Sequence, residues 1–218
     1  MPSAVPHADT SLNPDPVVAF DERDRETLIL GKPPRIAPLQ PTELGKEAAE
    51  SALALRKAAS APASDEVTEF TATMLRHPAL YKRHTELAFQ LYGGALSARD
   101  RELIILRTGW LCKAPYEWGE HVRIGKRIGL TAEEIDRVRT GSAASGWDEN
   151  DRAILSAVEQ LSEDAMISDE TWAVLARRLD ERQLIELPIL VGQYQGLAYL
   201  QNALRLRLIA GNPGLSAR

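Results

Sequence analysis

The chain has 218 residues, 44% of them apolar and 26% charged, with a formal net charge of −5. That length can bury a sizeable core in one domain, and the acidic balance argues against a nucleic-acid partner, since no basic excess exists to displace counterions from phosphate. The single cysteine, Cys112, excludes an intrachain disulfide and a cysteine-based zinc site, and it suits a reducing compartment.

No apolar run approaches the ~18 residues that a membrane span needs. Residues 1–20 also lack the basic-then-apolar order of a secretory signal. The expected location is therefore the cytoplasm, with no membrane partner.

Residues 1–41 hold eight prolines (Pro2, Pro6, Pro14, Pro16, Pro33, Pro34, Pro38 and Pro41) and little periodicity. Proline lacks an N–H donor and restricts the residue before it, which disfavours helix. This segment reads either as a tail or, over residues 20–40, as an extended arm laid on the body or on a neighbouring subunit through Val17, Val18, Phe20 and Ile36. Residues 41–218 read as one helical domain.

The first helix predicted in that domain runs from Thr42 to about Ser60, with Leu44, Ala48, Leu53 and Leu55 on one face. Asp65 to Arg76 comes next, then a helix opened by Pro78 and closed at Gly93-Gly94. Ser97-Ala-Arg-Asp100 starts a helix in which Leu103, Ile104, Ile105 and Leu106 are consecutive, so it is buried from most directions. A helix from Pro115 to Gly129 follows. Thr131-Ala-Glu-Glu134 is a capping box for a short helix ending at Gly141. After a loop at Gly141–Gly146 come Asp148 to about Ser162, Ser168 to Leu179, and Asp180 to about Arg207. No stretch alternates with period two. The predicted class is all-α, with a weak echo between His77–Leu106 and Ser168–Val191 that suggests two related helical hairpins.

The chemistry-bearing stretch is Arg101-Glu102-Leu-Ile-Ile-Leu-Arg107, Cys112, and Tyr116-Glu117-Trp118-Gly119-Glu120-His121. Glu102 lies among core residues, and a buried carboxylate needs a partner or takes up a proton. Glu117 and His121 are four apart on one helix and point to the same face. If that face looks toward Glu102, two carboxylates and an imidazole converge on a group that transfers protons near neutral pH. Taken alone, the Glu117/His121 spacing is also that of an ordinary surface pair, and Glu102 can pair with Arg101 or Arg107. A metal at Glu117 and His121 needs a third ligand, for which His84 is the obvious candidate; none is expected.

Glu102 followed by Tyr-Glu-Trp-Gly-Glu-His, with Pro34-Arg-Ile36 before it and Val191-Gly-Gln-Tyr194 after it, resembles the carboxymuconolactone decarboxylase family. That family lies within the alkylhydroperoxidase D-like superfamily, and the likeness extends from about Pro34 to Leu208. It implies a helical bundle, a homo-oligomer (trimer or hexamer), and a cofactor-free lyase. The implied substrate is a small cyclic or unsaturated carboxylic acid or lactone.

In that reading His121 donates a proton or holds an oxyanion and Glu102 orients the imidazole. Glu117 or Tyr116 positions the substrate, Arg107 supplies a cation, and Trp118 and Gln193 line the pocket. The same groups would serve an isomerase or a lactone-opening enzyme, and the fold would also serve a non-catalytic binding protein. Redox members of the superfamily carry a Cys-x-x-Cys pair whose two places here hold Ala114 and Glu117. A peroxidase could use only Cys112 with an external thiol, and Cys112 reads instead as a small buried hydrophobe.

Overall fold

The computed structural model describes residues 20–43, 45, 46, 50 and 67–218. Among them are nine α-helices and no strand: α1 (Glu22–Leu30), α2 (Glu69–Met74), α3 (Pro78–Tyr92), α4 (Ala98–Leu111), α5 (Pro115–Arg127), α6 (Ala132–Thr140), α7 (Glu149–Asp164), α8 (Asp169–Leu175) and α9 (Glu181–Leu204). Short 3₁₀ turns occur at Pro41–Glu43 and Gly214–Ser216. Most of the predicted helix from Thr42 to Ser60, and the segment before residue 20, lie outside the described residues.

Local signals set the helix starts. Asp21, Thr68, Ser97, Asp148 and Ser168 each accept a hydrogen bond from a backbone N–H in the first turn of the helix they precede, satisfying donors that have no intrahelical partner. Thr131 with Glu134 and Asp180 with Gln183 make full capping boxes. Pro78 and Pro115 occupy first-turn positions, where a missing N–H costs nothing. α9 continues through Pro188.

α4 is the axis. Leu103, Ile104, Ile105 and Leu106 are all completely buried, because α5, α6, α7 and α9 pack around it. The two related segments suggested by the sequence correspond to α3–α4 and α8–α9, and their second helices, α4 and α9, lie against each other. Trp110, Trp118, Ile154, Leu155, Leu187 and Leu190 fill the rest of this core.

The segment read as an extended arm departs from that expectation. Between Pro16 and Pro33 there is no proline at all, and Asp21 caps a three-turn helix, α1, in that gap. Only the part after Gly31 is extended. The arm does lie on the body of its own chain. The Phe20 ring stacks at 5.0 Å from Trp110, Glu26 accepts from the backbone N–H of Leu215 at 2.6 Å, and Arg35 and Leu39 donate backbone hydrogen bonds to Leu204 and Ala72.

Residues 206–218 run back over α5. Trp118 Nε1 donates to the Ala217 carbonyl at 3.1 Å, and Asn212 Nδ2 to the Tyr116 carbonyl at 3.0 Å. A Cβ on Gly119 would collide with the Asn212 side chain, so this crossing needs glycine there. Arg218 closes the seam by pairing with Glu22 of α1 at 3.2 Å.

Candidate active site

α4 and α5 are joined by a tight turn at Cys112–Ala114 and cross so that Glu102, Glu117 and His121 meet. Glu102 Oε2 lies 2.7 Å from His121 Nδ1, and His121 Nε2 lies 3.2 Å from Glu117 Oε1. The imidazole is thus bracketed by a carboxylate at each nitrogen. All three side chains are buried: Glu102 is 0%, Glu117 4% and His121 5% exposed.

Burial is the largest single influence on the His121 ring and alone would keep it neutral. The charge of Glu102, its hydrogen bond and that of Glu117 together outweigh burial, and the pKa stands well above 6.5. At neutral pH both ring nitrogens carry protons and both donate. Arg101 balances the charge, with Nε 3.5 Å from Glu102 Oε1 and a terminal nitrogen on the Tyr92 carbonyl at 3.1 Å. Two carboxylates, one imidazolium and one guanidinium sum to zero, which is what a buried ionic cluster needs to persist.

α9 supplies the rest of the wall. Gln201 Nε2 donates to Glu117 Oε2 at 2.6 Å, fixing that carboxylate from the side opposite the imidazole. Tyr194 sets its ring edge-on to His121 at 5.1 Å between centroids. Burial first, then the neighbouring Tyr92 and the charges of Glu117 and Glu102, hold its hydroxyl protonated. Tyr92, Tyr194 and Gln201 are the members of this cluster that the sequence reading did not assign to the site; Arg101 was expected only as one possible partner of Glu102. A signal was available for α9, where Tyr194 and Gln201 are seven apart and share one face of an otherwise apolar helix.

The other residues expected at the site lie elsewhere. Arg107 is completely buried on another face of α4, donating to Glu159 at 2.9 Å and to the carbonyls of Val138 and Arg139. It is not the cation of the cluster; Arg101 is. Trp118 packs on Trp110 and anchors the 206–218 segment. Tyr116 sits against Phe70 of α2 and bonds Thr68 through its hydroxyl. Gln193 Nε2 lies 2.9 Å from Nδ1 of His84. Burial lowers the His84 pKa against the pull of Glu117, so this ring is neutral and accepts from Gln193. Among the described residues no three His, Cys, Asp or Glu side chains are grouped to hold a metal ion.

Cys112 terminates α4 as its C-cap residue. Burial first, then the Glu117 charge, push its thiol up to about 11, with Arg25 pulling the other way. A thiol held there is almost entirely un-ionised at neutral pH. Iodoacetamide at pH 8 is expected to alkylate Cys112 about 10²-fold more slowly than free cysteine, followed by mass spectrometry. A rate equal to that of free cysteine would show that the thiolate is accessible after all.

The bundle is all-α and shares its fold with AhpD-like solved structures. Solved structures share the fold at low identity. An uncharacterised peroxidase-related protein with the AhpD core from Ralstonia eutropha JMP134 is 14% identical, with a TM-score of 0.70 over 82% of this chain and 94% of that one. The debrominase Bmp8, as a Cys-to-Ala variant in complex with 2,3,4-tribromopyrrole, is 16% identical, with a TM-score of 0.68 over 81% of this chain and 92% of that one. A protein of unknown function from Agrobacterium tumefaciens is 18% identical, with a TM-score of 0.58 over 62% and 94%. No curated protein matches the sequence. Residues 78–160, from α3 to within α7, match the carboxymuconolactone decarboxylase family, and the sequence holds a single cysteine, so no redox cysteine pair. No helix among the described residues is long and apolar enough to cross a membrane.

Proposed function

We propose that this chain is a cofactor-free acid–base enzyme of the decarboxylase type, acting on a small cyclic or unsaturated carboxylic acid or lactone. The observation that carries the reading is the imidazole held between Glu102 and Glu117 in a buried, charge-balanced cluster.

When a carboxylate leaves as carbon dioxide, its bonding electrons must move into an acceptor. In a lactone with a conjugated double bond they pass to the lactone carbonyl, giving a dienolate, and a proton must then be added at carbon. The 2.7 Å contact keeps Nδ1 on Glu102, while the longer 3.2 Å contact leaves the Nε2 proton the easier one to release. His121 Nε2 is therefore assigned as the proton donor. Glu102 orients the ring and sustains its charge. Glu117, steadied by Gln201, holds the Nε2 proton in place until substrate takes it, and the ring regains a proton from water once product has left. The Tyr194 hydroxyl, kept neutral, is a donor for the developing oxyanion.

A dithiol peroxidase needs a second cysteine that this sequence does not have, and Cys112 is not ionised. The reading also carries a homo-oligomer, supported by the exposed apolar side chains Leu80 and Leu87 on α3 and Ile185 and Ile189 on α9.

The test is product analysis with an unsaturated lactone carboxylic acid. Carbon dioxide release by the intact chain, lost by about 10²-fold or more in His121→Asn, is the expected result. Turnover without carbon dioxide would assign the same site to isomerisation or lactone opening. Full activity in His121→Asn would remove the site.

A further inference from the structure

Away from His121, α1 and the C-terminal end of α9 enclose a cleft of about 420 Å³, within the range of small-molecule sites. Three arginines line it, Arg25, Arg35 and Arg205, and no acidic side chain does. Each comes from a different element and each has a fixed backbone. Arg25 of α1 spends Nε on the Lys113 carbonyl at 3.1 Å. Arg35, in the extended stretch after α1, donates its backbone N–H to Leu204. Arg205 ends α9 in the left-handed conformation, at φ +56°.

Among the described residues none of these three guanidiniums lies within ion-pair distance of a carboxylate. Other arginines of this molecule, Arg76, Arg152 and Arg207 among them, also lack such a partner among the described residues and bond backbone carbonyls instead, but Arg25, Arg35 and Arg205 share one cleft whose lining holds no acid. Arg99, Arg107, Arg139, Arg178 and Arg218 all sit against Asp or Glu, and acids outnumber bases in the sequence, 31 to 26. Placement at a helix C-terminus accounts for Arg205, and the bond to Lys113 at the end of α4 for Arg25, but neither accounts for Arg35. Three like charges gathered round one cavity repel each other unless an anion enters among them.

The remaining walls are apolar or neutral. Leu28 and Ile29 of α1 and the Tyr199 ring of α9 provide the apolar surface. Asn202 spends its amide nitrogen on the Cys112 carbonyl at 3.1 Å, and the Cys112 thiol beside it is un-ionised. Inorganic phosphate would use the guanidiniums and leave the apolar walls idle.

We propose that this cleft is a binding site for a small organic acid, with its carboxylate among Arg25, Arg35 and Arg205 and its ring or chain against Leu28, Ile29 and Tyr199. Guanidinium pairs suit a planar carboxylate because two parallel N–H groups can meet its two oxygens. The site does not depend on the reaction assigned to His121.

Calorimetric titration of the full chain with benzoate, benzamide and inorganic phosphate tests it. Benzoate is expected to bind saturably, benzamide not to bind, and phosphate to bind more weakly than benzoate. Arg35→Gln and Arg205→Gln are each expected to weaken benzoate about tenfold, while His121→Asn leaves its affinity unchanged. Circular dichroism melts of the variants verify that the fold is retained. Equal binding of benzamide, phosphate binding as tight as benzoate, unchanged affinity in both arginine variants, loss in His121→Asn alone, or no saturable binding would each overturn the proposal.

Discussion

Glu102→Gln is expected to lower turnover at neutral pH by about 10²–10⁴-fold and to strip the His121 ring of its charge. Glutamine keeps a hydrogen-bonding group near Nδ1 but removes the negative charge that holds the second proton on the ring. Burial, which favours the neutral ring, then prevails. In the wild-type chain the alkaline limb of the pH–rate profile falls well above 6.5, where the buried imidazolium finally loses its proton. In Glu102→Gln that limb moves down. A substrate-free measurement gives the same answer, because the titration of the His121 ring followed by NMR is expected to move to lower pH. A ring that titrates identically in both proteins would break the link between Glu102 and the acid.

The sign for stability follows from the same shift. A histidine whose folded-state pKa is raised binds its proton more tightly in the folded chain. Its contribution is complete below the unfolded value near 6.5 and is lost as pH rises through the higher folded value.

Arg107→Ala is expected to be the most destabilising single change outside the apolar core, by about 3–5 kcal/mol. The guanidinium is fully enclosed and binds Glu159 together with the carbonyls of Val138 and Arg139 at the end of α6. Removing it leaves two carbonyls without their donor and Glu159 with Ser142 alone. Gly141, at φ +91°, lets the chain turn directly against Arg107 and Glu159, where a Cβ would strike both. A melting midpoint lower by roughly 10 °C corresponds to this loss for a domain of this size. A drop of only ~1 °C would mean that the network carries little net stability. Turnover of the residual folded fraction is expected to be normal, since Arg107 does not reach His121.

Arg107 also marks how far the sequence could be read. Glu102 and Arg107 are five positions apart, about 140° round a helix, so once Glu102 faces His121 the arginine faces elsewhere. Arg101 points toward the cluster instead, and that choice depends on where Tyr92 offers its carbonyl. The helical class, the starts at Pro78, Thr131 and Asp180, and the pairing of Glu117 with His121 were legible because they rest on caps and short spacings. Trp118 was misplaced because its partner, Ala217, is 99 residues away. Gln193 and Tyr116 were drawn to the wrong centre for the same kind of reason, since His84, Phe70 and Thr68 reach them from earlier helices. α1 was missed because prolines on both sides of residues 17–32 coloured the whole segment, although that stretch itself has none.

The seam between α1 and residues 206–218 has a consequence for biosynthesis. Glu22 binds Arg218, 196 positions later, and Glu26 binds Leu215. A ribosome delivers α1 well before residues 206–218, so the segment lacks that part of its seat until they follow. Contacts of such long span close late and slow the search for the native state. The helix pair carrying Glu102 and His121 can form well before, and the final residues then lock it from behind.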